Sequence, residues 1–302
     1  FIVRTFLEIQ GTRLYREIPI IHKRTDPVRG EVNEPFHVVP EVAVSIENPV
    51  YVFSGNTAQP VHVTIKANKK LPQGSLELAH PDNWSITPTD FNFKGLEKGE
   101  EKTYTFNVQP PKTASRGVIS GWVKIGSQIF KQEVIKIDYD HIPNQQLVRD
   151  NESQVVKPGL INTAQTVAYI NGAGDDVAQA IEAIGGKVFK FEPSEVPDDL
   201  SKYDAVVVGI RAYNVAENDM AALQNRLDTY VKNGGTLMMQ YNTSRRISPD
   251  ELGPLPITLS RKRVTDENAT VTILEPQHKI MSYPNAITST DFEGWVQERG
   301  LY

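Results

Sequence analysis

Asp204-Ala-Val-Val-Val-Gly-Ile210, continued by Arg211-Ala-Tyr-Asn214, decides how the C-terminal half is read. Its first seven residues are almost continuously apolar and rich in β-branched side chains, which marks a strand buried on both faces. Met220, Leu223, Leu227 and Val231 then recur at helical spacing, and Gly234 follows the end of that helix. Residues 236–240 form the next buried strand. Upstream the grammar is the same. Thr166–Ile170 is a short apolar run, followed by Asn171-Gly-Ala-Gly174 and a helix carrying Val177, Ala180, Ile181 and Ile184. Gly185-Gly186 stops that helix as a C-cap, and Lys187–Phe191 is a further strand. Strand–helix alternation with short loops predicts a parallel α/β sheet with right-handed crossovers, doubly wound and flavodoxin-like, over residues 165–302.

Further toward the N-terminus the period changes from helical to two. Val61, Val63 and Ile65 alternate with His62, Thr64 and Lys66, while Tyr104, Phe106 and Val108 alternate with Thr103, Thr105 and Asn107. Ile119, Val123 and Ile125 continue the pattern, and Pro72-Gln-Gly74, Pro110-Pro111 and Gly126-Ser127 punctuate it. Short alternating strands between such turns predict an all-β, Ig-like sandwich over residues 36–140. Residues 1–35 read as terminal strands of a preceding β domain. Residues 141–164 are polar and nearly aperiodic, which predicts a linker.

Composition removes whole classes of function. The 302 residues suit two domains. Lys and Arg total 32 against 37 Asp and Glu, a net charge of −5 that argues against a nucleic-acid partner. The chain has no cysteine, so it has no disulfide, Cys-ligated metal or thiol nucleophile. No apolar run approaches the roughly 20 residues that a helix needs to cross a bilayer, and no membrane partner is expected. The chain opens on Phe1 inside a strand-like run without a signal sequence, which reads as a piece of a longer protein. Six histidines are scattered without paired metal-ligand spacing, and no Gly-x-Ser-x-Gly elbow occurs. Gly172-Ala-Gly174 supplies two glycines of a dinucleotide fingerprint, but Val177 stands at the third position and Asp175 and Asp176 oppose a pyrophosphate.

Open α/β sheets bind ligands at the carboxyl ends of their strands. Three loops qualify: Asn171-Gly-Ala-Gly-Asp175, Arg211-Ala-Tyr-Asn214 and Gln240-Tyr-Asn-Thr243. From them Asn171, Asp175, Arg211, Tyr213, Asn214, Gln240, Tyr241 and Asn242 are candidate ligand-binding residues. Asp175 and Asp176 also suit helix capping. An Arg at the mouth of a buried strand needs an acceptor that a loop does not require. The tail Asp291-Phe-Glu-Gly-Trp295-Val-Gln-Glu-Arg-Gly300 adds Trp295 as a stacking platform for a sugar ring, unless that ring fills the core. Asp266, Glu267, Asp291, Glu293 and Glu298 are carboxylates that could flank a glycosidic bond, or simply solvated charges.

Val206-Val-Val-Gly-Ile-Arg-Ala-Tyr-Asn214, Asn233-Gly-Gly-Thr-Leu-Met-Met-Gln-Tyr-Asn-Thr243, Arg263-Val-Thr-Asp-Glu-Asn268 and the tail from Asp291 to Tyr302 together resemble the C-terminal region of Bacteroidetes-type PIG-L/LmbE deacetylases. Asn83-Trp-Ser-Ile-Thr-Pro88 and Leu96-Glu-Lys-Gly-Glu100 resemble the NEW3 type of Ig-like module. The resemblance implies a zinc-dependent N-acetylglucosaminyl deacetylase domain outside this chain, then Ig-like modules, then a class I glutamine-amidotransferase-like domain. It implies zinc only in the absent domain and no cofactor here. Contact with that domain, a glycan or amino-sugar ligand, and a periplasmic or extracellular location are also implied. It further implies that both ends of the chain are cut.

Two departures limit what carries over. The family's zinc motif, Ala-His-Pro-Asp-Asp-Glu, is approached by Ala79-His-Pro-Asp-Asn-Trp84, but within a strand–turn of the sandwich, so His80 and Asp82 are not read as ligands. The amidotransferase cysteine belongs near Gln240-Tyr-Asn242, and its absence excludes the thiolate route. The leading expectation is a non-catalytic, carbohydrate-binding accessory region with no catalytic residue of its own. The alternatives are a carboxylate-dependent carbohydrate hydrolase and a purely structural docking module.

Overall fold

The computed structural model describes residues 2–28, 30–139, 141–244, 247, 252–255, 257, 259–260 and 264–296. The chain divides into two compact units, Phe1–Lys157 and Pro158–Tyr302. The first is all-β, and the second is an α/β unit with a parallel four-stranded sheet.

Two sheets of the first unit share one core. Val42–Ile46, Gln59–Ala67, Glu101–Gln109 and Ser85–Thr87 lie in that order in an antiparallel sheet. The other sheet runs Asp90–Phe93, Gly74–Ala79, Ser115–Ile125, Ser153–Lys157 and Val50–Val52, with Gln128–Phe130 hairpinned onto Ser115–Ile125. Period-two alternation does what it predicts: Val61, Val63 and Ile65 are fully buried while Lys66 faces solvent. Val44, Val63, Ile65 and Phe106 from one sheet meet Leu76, Ile119, Val123 and Val155 from the other. Each such side chain contributes about 1.5–3 kcal/mol of burial. Gly121 sits at a close approach, where a Cβ would come within 3.1 Å of both Val44 and Val63.

Residues 141–164 are not simply a linker. Gln145–Asp150 pairs with Gln132–Ile137, and Ser153–Lys157 is an integral strand, antiparallel to Ser115–Ile125 and parallel to Val50–Val52. The β structure expected to end at 140 therefore extends to 157. The signal was hidden because the inward face of that strand reads Ser153, Val155, Lys157. Both polar members are satisfied inside. Ser153 Oγ donates to the Asn48 carbonyl at 2.7 Å, and Lys157 Nζ donates to Asn56 Oδ1, to the Pro111 carbonyl at 2.6 Å and to the Lys112 carbonyl at 3.3 Å.

Residues 2–35 form two separate ribbons, Ile2–Ile9 with Thr12–Pro19 and Ile21–Asp26 with Gly30–Pro35. One face of the first carries an Arg4–Glu17 ion pair, Arg4 over Tyr15 and Arg13 over Phe6. The other presents Val3, Leu7, Ile9, Leu14 and Ile18, all exposed.

In the second unit the sheet order is Lys187–Phe191, Thr166–Ile170, Ala205–Val208, Thr236–Met239, all parallel. Numbered along the chain, this is 2-1-3-4. Val206, Val207 and Val208 are buried, so the central strand is covered on both faces. Met220, Leu223, Leu227 and Tyr230 of the helix Glu217–Lys232 pack with Ala168, Ile170, Val206 and Val208. Ala178 and Ile181 of the helix Val177–Ala183 pack with Val167, Tyr169 and Val207 on the opposite face. The last strand departs from expectation, because Thr236 and Met238 are exposed. Among the described residues it is an edge strand, and the cluster beneath the short helix stops before Met238, which is 56% exposed.

Candidate functional site at the carboxyl ends of the parallel strands

One carboxylate joins the ends of three strands. Asp175 accepts from the Tyr169 hydroxyl at 2.5 and 2.6 Å, from the Val177 N–H at 2.9 Å, from the Ile210 N–H at 3.1 Å and from Gln240 Nε2 at 3.3 Å. Gln240 Nε2 also donates to the Tyr169 hydroxyl at 3.0 Å. Burial pushes Asp175 toward protonation, but the donors from Tyr169, Val177, Ile210 and Gln240 together outweigh it and hold its pKa below the ordinary value. Burial, reinforced by the neighbouring Asp175, raises Tyr169 well above a normal phenol. The backbones themselves touch here. Ala173 N–H donates to the Ile210 carbonyl at 2.7 Å, and a Cβ on Gly172 would lie 2.1 Å from that oxygen. The glycine is required by close approach of two loops.

The three loops named from sequence thus meet, but most of their polar groups are spent on one another. Asp175 closes a turn onto the Val177 N–H from the position before the N-cap, and Asp176, which occupies the N-cap, makes no side-chain hydrogen bond, so neither carboxylate caps the helix in the expected way. Tyr213, expected to face a ligand, is fully buried, and its hydroxyl donates to Gln224 Oε1 at 2.5 Å. Burial and then Asp228 raise its pKa. Its ring fills the core beneath the long helix because Ala212–Val215 turns inward immediately after the strand. Asn242, also buried, accepts from the Tyr213 N–H at 3.2 Å and donates to the Gln240 carbonyl at 3.0 Å. Asn214 exchanges two hydrogen bonds with the Thr243 backbone, at 3.1 and 2.8 Å. Tyr213, Asn214, Asn242, Asp175 and Gln240 are therefore framework rather than free ligand contacts.

Arg211 and Tyr241 remain accessible. Arg211 sits at the strand-to-helix elbow with φ 57° and ψ 24°, a left-handed conformation uncommon outside glycine. Its N–H donates to the Tyr241 carbonyl at 2.7 Å, and its carbonyl accepts from the Asn214 N–H at 2.9 Å and the Val215 N–H at 3.1 Å. Its side chain is exposed, with no hydrogen bond or ion pair among the described residues. A strand-to-helix elbow falls here, after Ala205–Val208, and residues 241–244, which follow Thr236–Met239, are not helical. Asn171 donates to Glu192 Oε1 at 2.8 Å and lines a hollow of about 280 Å³ with Gly174, Asp175, Gln179, Lys190 and Glu192.

Trp295 belongs to a different group. It is 57% exposed, stands edge-on to Phe292 at 6.1 Å, and lines a hollow with residues 268–271, Ser289 and residues 292–296 that includes none of the three loops. Of the tail's planar groups, Gln297, Glu298 and Arg299 lie outside the described residues, as does Arg263. Asp266 and Asp291 serve turns, accepting from the Asn268 and Thr288 N–H groups at 3.0 and 2.7 Å. His80 and Asp82 lie in the exposed turn between Gly74–Ala79 and Ser85–Thr87.

A larger hollow, about 540 Å³, lies at the opposite, amino ends of the strands, lined by residues that include Asp198, Asp199, Ser201, Asp204, Arg226 and Gly234. Its charged groups are tied internally: Arg226 to Asp198 at 3.0 Å, Asp199 to Ser201, and Asp204 to Thr166. Tyr169, Gln179, Lys190 and Glu192 were missed from sequence. Only Tyr169 left a usable signal, a phenol inside an apolar strand that must find a partner for its hydroxyl.

No family model matches the chain, and no curated protein matches it. Among solved structures, WR4, a C. elegans MSP family member, is similar over 38% of this chain and 97% of its own, at 7% identity and a TM-score of 0.21. A likeness of that size carries no argument about fold or function.

Proposed function

We propose that the chain is a binding region without catalytic chemistry of its own, an accessory part of a PIG-L-type deacetylase that holds a glycan at the carboxyl end of its parallel sheet. On this reading the first unit is an Ig-like spacer and the second a flavodoxin-like, amidotransferase-type domain. The zinc, the deacetylase partner and a periplasmic or extracellular setting belong to the longer protein. The 2-1-3-4 strand order supports the flavodoxin-like reading, since it is the start of that order. The observation that carries the binding proposal is Arg211: an exposed guanidinium on a rigid elbow beside Tyr241, where the rule for open sheets places ligands. A cysteine-free chain cannot run an amidotransferase thiolate, which supports binding over that chemistry.

Calorimetric titration with a neutral, a deacetylated and an acidic tetrasaccharide tests this. Binding to any of them, weakened at least tenfold by Arg211→Ala, is expected. No heat with all three ends the proposal. A docking role is favoured by a separate observation, the exposed apolar face of the Ile2–Ile9 and Thr12–Pro19 ribbon.

A further inference from the structure

We infer that Arg211 recognises an anionic group, so that the ligand of the proposed site is an acidic sugar rather than a neutral one. The inference rests on the glycan reading above and narrows its chemical class. Left-handed backbone at a non-glycine residue is costly and persists only where the surroundings over-determine it. Among the described residues only Gln10, in the tip of the first ribbon, shares this conformation. At Arg211 the surroundings do over-determine it. Tyr241 accepts its N–H, Asn214 and Val215 donate to its carbonyl, Asn242 caps the next turn through Tyr213, and the Gly209 N–H donates to the Ile170 carbonyl at 2.8 Å.

Glycine would take this conformation without steric cost. The backbone bonds of the elbow ask nothing of a side chain, yet a long cationic one stands there. It is not spent on the protein: Arg226 of the same unit is bound to Asp198 and to the Val196 carbonyl, whereas Arg211 has neither kind of partner among the described residues. Nor does Asp175 offer itself, because Tyr169, Gln240 and two backbone N–H groups already hold its oxygens.

Elimination gives the sign of the ligand. The neutral amide forks of the three loops are Asn171, Asn214, Gln240 and Asn242, and each is hydrogen-bonded within the framework. The guanidinium remains, with a planar set of donors that matches a carboxylate or a phosphate in two parallel hydrogen bonds. Tyr241, whose carbonyl anchors the Arg211 backbone, is itself partly exposed.

The test compares a hyaluronan tetrasaccharide, which carries uronates, with neutral N-acetylchitotetraose on the intact chain. Binding of the acidic sugar at least tenfold more tightly, and progressively weaker with added salt, is expected. Arg211→Gly should abolish that preference while raising the melting temperature of the α/β unit by about 1–3 °C, because the left-handed position is relieved. Competition with free glucuronate and with inorganic phosphate then assigns the group as carboxylate or phosphate. Equal affinity for the two tetrasaccharides overturns the inference and leaves glycan binding standing. So does an Arg211→Gly variant that keeps the preference. Absence of binding to either, and to the deacetylated sugar, removes the glycan reading itself. An Arg211→Gly variant that melts lower than the wild type refutes the argument from strain.

Discussion

Replacing Asp175 by Ala removes the acceptor for four donors at once: the Tyr169 hydroxyl, Gln240 Nε2 and the N–H groups of Val177 and Ile210. One of these keeps an acceptor, because Gln240 still donates to the Tyr169 oxygen. The Tyr169 O–H and the two backbone N–H groups do not. An unsatisfied donor costs about 1–3 kcal/mol, with the lower end fitting a partly hydrated site. Adding the lost charge-assisted bond from Tyr169 puts the expected loss at about 3 kcal/mol, or about 6–12 °C for a unit of this size. Tyr169→Phe removes one donor only and should cost about 1.5 kcal/mol. The double variant should fall short of the sum, since both changes delete the same bond. Urea unfolding followed by helical circular dichroism isolates the effect, because the α-helices of the described chain lie in the second unit. Asp175 also fixes a pH dependence. Its folded pKa is lowered, so its contribution is fully present above the ordinary carboxylate value and is lost as pH falls below it. The wild type should therefore lose stability between about pH 5 and pH 2 by more than Asp175→Ala does. A variant within about 0.5 kcal/mol of wild type, a fraction of one donor's cost, or an identical pH profile, would refute the idea of a joint.

Two further outcomes follow from packing. Gly172→Ala drives a Cβ against the Ile210 carbonyl, and neither backbone can yield, so a loss of about 2–3 kcal/mol is expected in the same urea assay. An unchanged midpoint would mean that the two loops are not apposed. Lys157→Met preserves the stem but deletes the ammonium that three oxygens surround, and should lower the stability of the all-β unit by about 2 kcal/mol. Thermal unfolding followed by Trp84 and Trp122 fluorescence checks it, and a neutral result would show those oxygens to be hydrated anyway.

Much of the architecture was legible because burial imposes a period. Val61, Val63 and Ile65 on one side, and Val206 to Val208 on both, announce a half-covered and a fully covered strand. Legibility failed where the inside is polar. Ser153 and Lys157 point into the core with their partners supplied by backbone oxygens more than 40 residues away, and nothing local encodes that. The candidate site shows the same limit. Sequence located the three loops, since strand ends are a matter of topology. It could not separate framework from contact, because Tyr213, Asn214, Asn242 and Arg211 are equally polar on paper. The difference lies in tertiary hydrogen bonds and in one φ angle.

The parallel strand Ser153–Lys157 has a consequence for how the chain is made. It is the last segment of the all-β unit in sequence, yet it lies between Ser115–Ile125 and Val50–Val52, which precede it. During vectorial synthesis those two strands wait with open edges while the remaining residues up to Lys157 are added, at about 5–20 residues per second. For those seconds the growing chain carries two unpaired edges, a template for other strands. Closure arrives with a segment whose inward side chains include a serine and a lysine, a composition that makes it a poor partner for the apolar edges of neighbouring nascent chains.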